Sequence, residues 1–324
     1  RMAKNFDVQS TDDEIVQNYY CAAKSSRNKE MSREHYMIEL NRLGKTDLEV
    51  ARLGFGAARI GESKSKTVVK SLLNSLRDIG ITFIDTADCY AESEELIGTL
   101  LGSDINDFVV ATKCGCITNE SEGQAFSRSV ILDGIARSLK RLGVERLDLV
   151  FLHSCSSAVL QAGEAIEALL YARDVGKVRY TGYSGDDDDA QVAISIGVFD
   201  VLQVTFNILN QRAINEVLPA AVEAEMGVVA KRPIANARLL SSDFLRLQEN
   251  PYWKTVEKLL IDEGISDNPL SYSLLFTLSH PEINSAIVGT TNTVHARDNA
   301  KRVQFGQLSS ELMVALHDLG RHVV

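Results

Sequence analysis

The 324-residue sequence predicts one α/β domain folded as a closed (β/α)8 barrel. Three observations predict it. Eight short segments are apolar throughout, as strands buried on both faces are. A helical pattern follows each of them, and eight β-then-α units are the number that closes a barrel. Polar residues break into consecutive strands at the same end, where such barrels carry their chemistry. The length also suits a barrel, which takes about 250 residues plus insertions. A doubly wound sheet is the weaker alternative, because Gly54-Phe55-Gly56-Ala57-Ala58-Arg59 lacks the third glycine of a dinucleotide fingerprint and no acidic ribose partner follows at the right spacing.

The elements follow in order. Residues 1–42 are polar, with a patchy apolar pattern around Ile15, Tyr19, Tyr20 and Tyr36, and read as an N-terminal extension that is partly helical or mobile. The barrel domain is taken as 43–324. It opens on Leu43-Gly44-Lys45-Thr46-Asp47-Leu48-Glu49-Val50, where turn residues lie between apolar ones as in a small hairpin. Strands are expected at 52–57, 81–86, 108–113, 147–152, 179–183, 199–205, 227–231 and 284–288. Helices are expected near 65–79, 92–102, 128–142, 163–175, 187–196, 213–225, 253–263 and 293–302, with a last one at about 309–320. The run Asp186 to Asp189 falls at a helix start and reads as capping with solvation, since acidic groups favour the positive N-terminus.

Composition narrows the function classes. Hydrophobic residues at 45% and charged residues at 24% supply a large core and exclude wholesale disorder. The formal charge of −10 argues against a nucleic-acid partner, which calls for a basic face. No stretch reaches the roughly 18 apolar residues of a membrane span, and no basic-then-apolar leader is visible, so the expected place is the cytoplasm. Five cysteines without small-domain spacing suit reduced thiols.

Four segments carry the chemistry: Ile84-Asp85-Thr86-Ala87-Asp88-Cys89-Tyr90, Val109-Val110-Ala111-Thr112-Lys113, Leu149-Val150-Phe151-Leu152-His153 and Gly182-Tyr183-Ser184. They bring an acid, a phenol, an amine and an imidazole to the exits of buried strands. One buried charge at a strand end is commonly a structural ion pair, but four consecutive strands ending on a matched set point to proton transfer at a carbonyl oxygen. On that reading Lys113, held by Asp85, lowers the phenol of Tyr90 from about 10 toward the working pH.

The spacing resembles that of the aldo-keto reductases. Asp85 and Tyr90 stand five residues apart and lead into Glu94, Leu96 and Gly98. Ser138-Leu139 and Arg141-Leu142 precede Leu147-Asp148-Leu149 and His153, and Gly176-Lys177-Val178-Arg179 leads to Gly182 and Ser184. The likeness runs from about Leu43 to the last helix. It implies a catalytic tetrad of Asp85, Tyr90, Lys113 and His153, and the reduction of aldehydes, ketones or aldoses, or the reverse oxidation, by direct hydride transfer from NADP(H), with NAD(H) left open.

The cofactor set that the resemblance implies comprises Gly56, Ala57, Ser184, Gln203, Lys231, Arg232, Pro233, Ile234, Gly289, Thr290, Thr291, Asn292, His295, Asp298 and Asn299. Ser184 and Gln203 match the positions that hold the nicotinamide amide, and the residues from Gly289 onward match the adenine end. The chain departs from the family in three places: Gly185 replaces the usual Asn, Lys231 the stacking aromatic, and Gly289 and His295 the Lys and Arg often seen at the last strand. Lys231 and Arg232 can grip a pyrophosphate instead.

Cys114 and Cys116 stand where the family often walls the pocket with an aromatic, and no long C-terminal loop follows the last helix, which together suggest an open pocket for a polar carbonyl or a sugar lactol. Four cysteines, Cys89, Cys114, Cys116 and Cys155, flank the tetrad and read as small-residue packing, with a redox switch or a thiol metal site as the other readings. No metal site is assigned. His35, His280, His317 and His322 lack ligand spacing and read as structural or surface residues. Two rival functions remain: a cofactor-binding regulatory subunit without turnover, and an enzyme that uses a bound nicotinamide transiently for epimerisation or elimination on a sugar-like substrate. The oligomeric state is not legible.

Overall fold

The computed structural model describes residues 38–63, 65–240, 248–265 and 268–321, leaving aside the side chains of 238–240. Residues 1–37, most of the expected N-terminal extension, lie outside the described residues, as do Cys21, His35 and His322.

An antiparallel hairpin of β1 (Leu40–Arg42) and β2 (Glu49–Ala51) comes first, so pairing begins three residues ahead of the expected boundary. Its turn approaches the barrel closely. Gly44 has φ +58, and a Cβ there would lie 2.1 Å from the backbone nitrogen of Gly227, so no larger residue fits. Leu43, Leu48 and Val50 join Phe83, Ala111, Leu149, Phe151, Val201, Val229 and Ile287 in one apolar cluster, and the hairpin thereby closes the floor of the barrel.

Eight parallel strands follow: β3 (Leu53–Gly56), β4 (Phe83–Asp85), β5 (Val109–Cys114), β6 (Leu147–His153), β7 (Val178–Ser184), β8 (Val201–Thr205), β9 (Gly227–Lys231) and β10 (Ser285–Gly289). Each expected strand is present within two residues of its predicted ends. β10 pairs with β3, Val288 opposite Phe55, so the sheet is closed. That pairing rules out the doubly wound alternative. The interior is narrow, and glycine makes room for its largest rings: a Cβ on Gly182 would meet the Phe151 ring at 2.4 Å, and one on Gly54 the Phe83 ring at 2.7 Å.

The outer helices are α1 (Lys66–Asp78), α2 (Ser93–Leu101), α3 (Arg128–Leu142), α4 (Ser157–Ala162), α5 (Glu164–Asp174), α6 (Asp187–Ile196), α7 (Val217–Glu223), α8 (Trp253–Asp262), α9 (Pro269–Leu278), α10 (Thr293–Val303) and α11 (Ser310–Arg321). α1 buries Val69, Leu72, Leu73 and Leu76 on one face, which is the spacing that made it legible. α9 is a helix beyond those the sequence pattern predicts. All ten of its residues are buried, so no polar face marks a helical period, and its only local signals are the Asn268 cap and the proline at its first position. None of the described helices is long and apolar enough to cross a membrane.

The acidic run at the start of α6 behaves differently from expectation. Asp186 makes no side-chain cap. Its carboxylate accepts from the Thr205 amide at 2.6 Å and the Thr205 hydroxyl at 2.9 Å, while Asp189 accepts from the Ser157 amide at 2.6 Å. These side chains join neighbouring loops at the C-terminal end of the barrel rather than being merely solvated.

Candidate active site

The pleat of the strands builds the site. Side chains two residues apart share a face. Phe83, Ala111, Phe151, Val201 and Val229 point into the interior cluster, and two residues further along the same strands stand Asp85, Lys113, His153, Gln203 and Lys231. Ser184 follows Gly182 in the same way. Strand register sets these groups side by side, with His153 opposite Ser184, Ser184 opposite Gln203, and Thr205 opposite Lys231. They form the topmost, polar layer of an otherwise apolar core.

A hydrogen-bonded chain runs through that layer. Lys113 Nζ donates to Asp85 Oδ2 at 2.6 Å and to the Thr86 carbonyl at 2.8 Å. Gln203 Nε2 donates to the other carboxylate oxygen of Asp85 at 2.8 Å, and Ser184 Oγ donates to Gln203 Oε1 at 2.9 Å. Lys113 and Asp85 are 2% and 3% exposed, so neither charge has water as an alternative partner. Burial disfavours the charged form of Lys113, but Asp85 and Tyr90 together outweigh it and the ammonium is held above its ordinary value.

Tyr90 lies beyond this pair on the loop after β4. Lys113 Nζ sits 4.8 Å from its ring centroid, and the His153 ring stands edge-on to it at 5.7 Å. Its acidity differs from the lowered value that the sequence suggests. Burial is the largest influence and raises the phenol above its ordinary value, and the opposing pull of Lys113 offsets it only in part. The hydroxyl is therefore protonated at neutral pH, the state a proton donor needs.

The loop carrying Tyr90 is anchored by ions that sequence reasoning gave no role. Asp88 is fully buried and accepts from Arg137 Nε at 3.1 Å, Arg137 Nη2 at 2.6 Å and Arg141 Nη1 at 3.0 Å. Arg141 also reaches the Asp88 carbonyl at 3.0 Å and Glu94 at 3.3 Å. Burial raises Glu94, which accepts from Thr112 Oγ1 at 2.6 Å. The local signal was an acid three residues after Asp85 and two arginines four apart on one face of α3. Several residues at the mouth hold positive φ without being glycine: Ala91, Ser154, Asp187 and Arg232, at 28°, 60°, 51° and 58°. Such strain persists where surrounding structure over-determines it, and it gathers at functional sites.

The residues of the implied cofactor set lie along one arc of the rim. Ser184, Lys231, Gly289 and Gly56 end four of five neighbouring strands, Gln203 lies two residues before the end of the fifth, and the Ala57 amide donates to the Asp85 carbonyl at 2.8 Å. Lys231 Nζ is 3.5 Å from both Ser184 Oγ and Asp186 Oδ2, and burial lowers it from its ordinary value. Arg232 is exposed, with Nη1 donating to Thr205 Oγ1 at 2.9 Å. Pro233 is buried and accepts Ser273 Oγ at its carbonyl at 2.7 Å, while Ile234 is half-buried.

At the start of α10 the exposed Asn292 caps the helix through Val294, and Thr290 Oγ1 accepts from the Asn292 amide. Thr291 is exposed, and His295 and Asp298 are half-buried. Burial lowers His295. Asn299 is buried and accepts from Arg302 Nη1 at 2.6 Å, a structural engagement. Gly185, which replaces the family's Asn, has a packing reason: a Cβ there would lie 2.3 Å from the Tyr183 hydroxyl, which donates to the Cys155 carbonyl at 2.6 Å.

The four cysteines divide into two pairs. Cys114 and Cys155 are buried among apolar groups, and burial raises both thiols, Cys155 to about 12. Cys89 and Cys116 are half-buried and both meet His153 Nδ1, at 3.4 and 3.2 Å. His280 and His317 meet through Nε2 at 3.3 Å within a cluster with Phe206 and Phe276, the structural role expected of them.

Comparison with known proteins agrees with this architecture. Residues 52–320 match the model of the aldo/keto reductase family. The chain is 28% identical over 290 residues to an L-galactose dehydrogenase of Arabidopsis thaliana, covering 82% of this chain and 88% of that one. It is also 28% identical over 302 residues to a probable voltage-gated potassium channel subunit beta of the same plant, covering 82% and 91%. Among solved structures, a putative aldo-keto reductase from Pseudomonas aeruginosa superposes with a TM-score of 0.69 at 26% identity, covering 84% of this chain and 98% of that one. With a family match across most of its length on an eight-stranded parallel barrel, the chain belongs to the aldo/keto reductase family.

Proposed function

We propose that the chain is an NADP(H)-dependent oxidoreductase that interconverts a carbonyl and an alcohol, with Tyr90 as proton donor. One observation carries the reading: a buried Lys113–Asp85 pair at 2.6 Å lies beneath a protonated phenol that stands edge-on to an imidazole, all at the C-terminal mouth of the barrel. When bound, the nicotinamide supplies a hydride to the carbonyl carbon. Tyr90 then gives its proton to the carbonyl oxygen, which His153 hydrogen-bonds and orients. The phenolate left behind is stabilised by the Lys113 ammonium, itself fixed by Asp85.

The residues present fit such a cofactor. Five neighbouring strands offer, at or near their C-terminal ends, amide-binding polar groups (Ser184, Gln203), cations (Lys231, Arg232) and a close-packed backbone at Gly56 and Gly289, where a Cβ on Gly289 would lie 3.0 Å from the Gly56 carbonyl. The exposed start of α10 adds hydroxyl and amide donors beside a helix N-terminus, a place that favours phosphate. Removing both cations, Lys231→Ala with Arg232→Ala, is expected to weaken NADP(H) binding and flatten its salt dependence, because screened charge contacts are lost. Unchanged affinity in a fluorescence titration of the double variant would place them outside the cofactor site.

A polar carbonyl or an aldose is the proposed substrate class, supported by the half-buried Cys116 at the mouth in place of a walling aromatic and by the likeness to an L-galactose dehydrogenase. Steady-state assay of aldehydes, ketones and aldoses with each nicotinamide cofactor tests this. Net cofactor consumption with at least one of them is the expected result. NADPH is expected to bind more tightly than NADH by a modest margin, since neutral donors at Thr290, Thr291 and Asn292 hold a 2′-phosphate less firmly than Lys and Arg would. The margin should widen as pH falls below about 6.5, because burial lowers His295 and it gains charge only in that range. Tight cofactor binding with no turnover would instead favour a subunit role without catalysis, in line with the likeness to a probable potassium channel subunit beta.

A further inference from the structure

Cys89, Cys116 and His153 converge on one point at the barrel mouth. The two sulfurs lie 3.4 and 3.2 Å from His153 Nδ1, and all three donor atoms fall within 4.8 Å of one another. A tetrahedral zinc ion with bonds of about 2.3 Å to sulfur and about 2.0–2.1 Å to nitrogen sets its ligand atoms about 3.6–3.8 Å apart. The donors therefore already stand near the edges of such a tetrahedron.

We propose that Cys89, Cys116 and His153 Nδ1 bind a thiophilic divalent ion, zinc above all, as a three-ligand site with its fourth position open. Its parts come from the loops after β4 and β5 and the end of β6, three neighbouring strands, so barrel register fixes their spacing. Each loop is held independently. Asp88, next to Cys89, is clamped by Arg137 and Arg141. Gly115, next to Cys116, turns the chain at φ +102 and packs so closely on Phe126 that a Cβ would lie 2.3 Å from its ring. This turn separates buried Cys114 from Cys116 at the mouth. A ligand set supported in this way loses little entropy on binding metal, whereas surface thiols must be ordered first.

The charge balance is suitable. Asp88 is neutralised by its two arginines, and Lys113 opposes a dication, so two thiolates supply the compensating charge. Nδ1 ligation leaves Nε2–H as the one donor the imidazole can offer a substrate oxygen. That last consequence rests on the function proposed above, but the binding does not. Metal uptake by a chain that reduces no carbonyl would support the site while counting against the enzymatic reading.

Cobalt(II) titration of the reduced full chain reads the site directly, because thiolate ligation produces a sulfur-to-metal charge-transfer band. The expected result is one ion per chain with that band, displaced by zinc, and at least about 10²-fold weaker binding in Cys89→Ser and Cys116→Ser, the upper end of what losing an outer-shell partner costs. Zinc should also protect Cys89 and Cys116 of the unaltered chain from alkylation, as read by peptide mass. Absence of a charge-transfer band under reductant, unchanged affinity in Cys89→Ser and Cys116→Ser, or unprotected thiols at saturating zinc would each overturn the proposal.

Discussion

Tyr90→Phe is expected to lower carbonyl turnover by about 10²-fold or more while NADPH still binds, because the variant keeps the ring and loses only the transferable proton. The pH profile makes the assignment specific. Burial raises the Tyr90 phenol above its ordinary value, so across neutral pH the group is protonated and reduction is independent of pH through this residue. Reduction should fall only in the alkaline range where the phenol ionises. Oxidation of an alcohol needs the phenolate as base and should rise through that same range. The Phe variant should lose both alkaline limbs. Near-wild-type turnover in that variant, or an unchanged pair of profiles, would mean that the proton comes from another group.

The direction of that shift was the main feature of the proposed tetrad that sequence could not supply. Asp85, Lys113 and His153 were legible because each interrupts an apolar run at the end of a strand, and the pleat then carries them onto the interior face above Phe83, Ala111 and Phe151. Tyr90 was legible by its five-residue step from Asp85. Its acidity depends on how much water the folded mouth excludes, a property of packed loops that composition does not encode. The eight strands were readable for the same reason as the tetrad, since burial on both faces leaves an unbroken apolar run. Burial on all sides hid α9, because a helix without a polar face has no period to detect.

The ion network around Asp88 was hidden by distance along the chain. Its partners Arg137 and Arg141 lie 49 and 53 residues away, and nothing in the local sequence ties either guanidinium to that carboxylate. The meeting of Cys89 and Cys116 at His153 Nδ1 was equally illegible, since it depends on where two loops turn beside a strand end rather than on ligand spacing in sequence.

Asp88→Ala should cost about 3–5 kcal/mol of stability, the usual penalty for removing one partner of a buried ion pair, because two guanidinium groups would face the cavity without their carboxylate. Side-chain exposures of 1% for Asp88 against 13% and 19% for Arg137 and Arg141 put the outcome toward the lower end, since the arginines can recover some hydration. For a domain of this size the loss corresponds to a fall in Tm of about 5–8 °C. Asp88→Asn keeps an acceptor for Arg137 Nε and Arg141 Nη1 and should lose less. Turnover should fall in Asp88→Ala even where the chain is fully folded, because Cys89 and Tyr90 follow directly on the anchored residue and the phenol must hold its place over Lys113. Thermal and urea unfolding, run beside turnover at a temperature where both variants are folded, separate the two effects. A stability within about 1 kcal/mol of the parent chain would show that the arginines find other partners. Full turnover in the folded Asp88→Ala chain would show that this clamp does not position Tyr90.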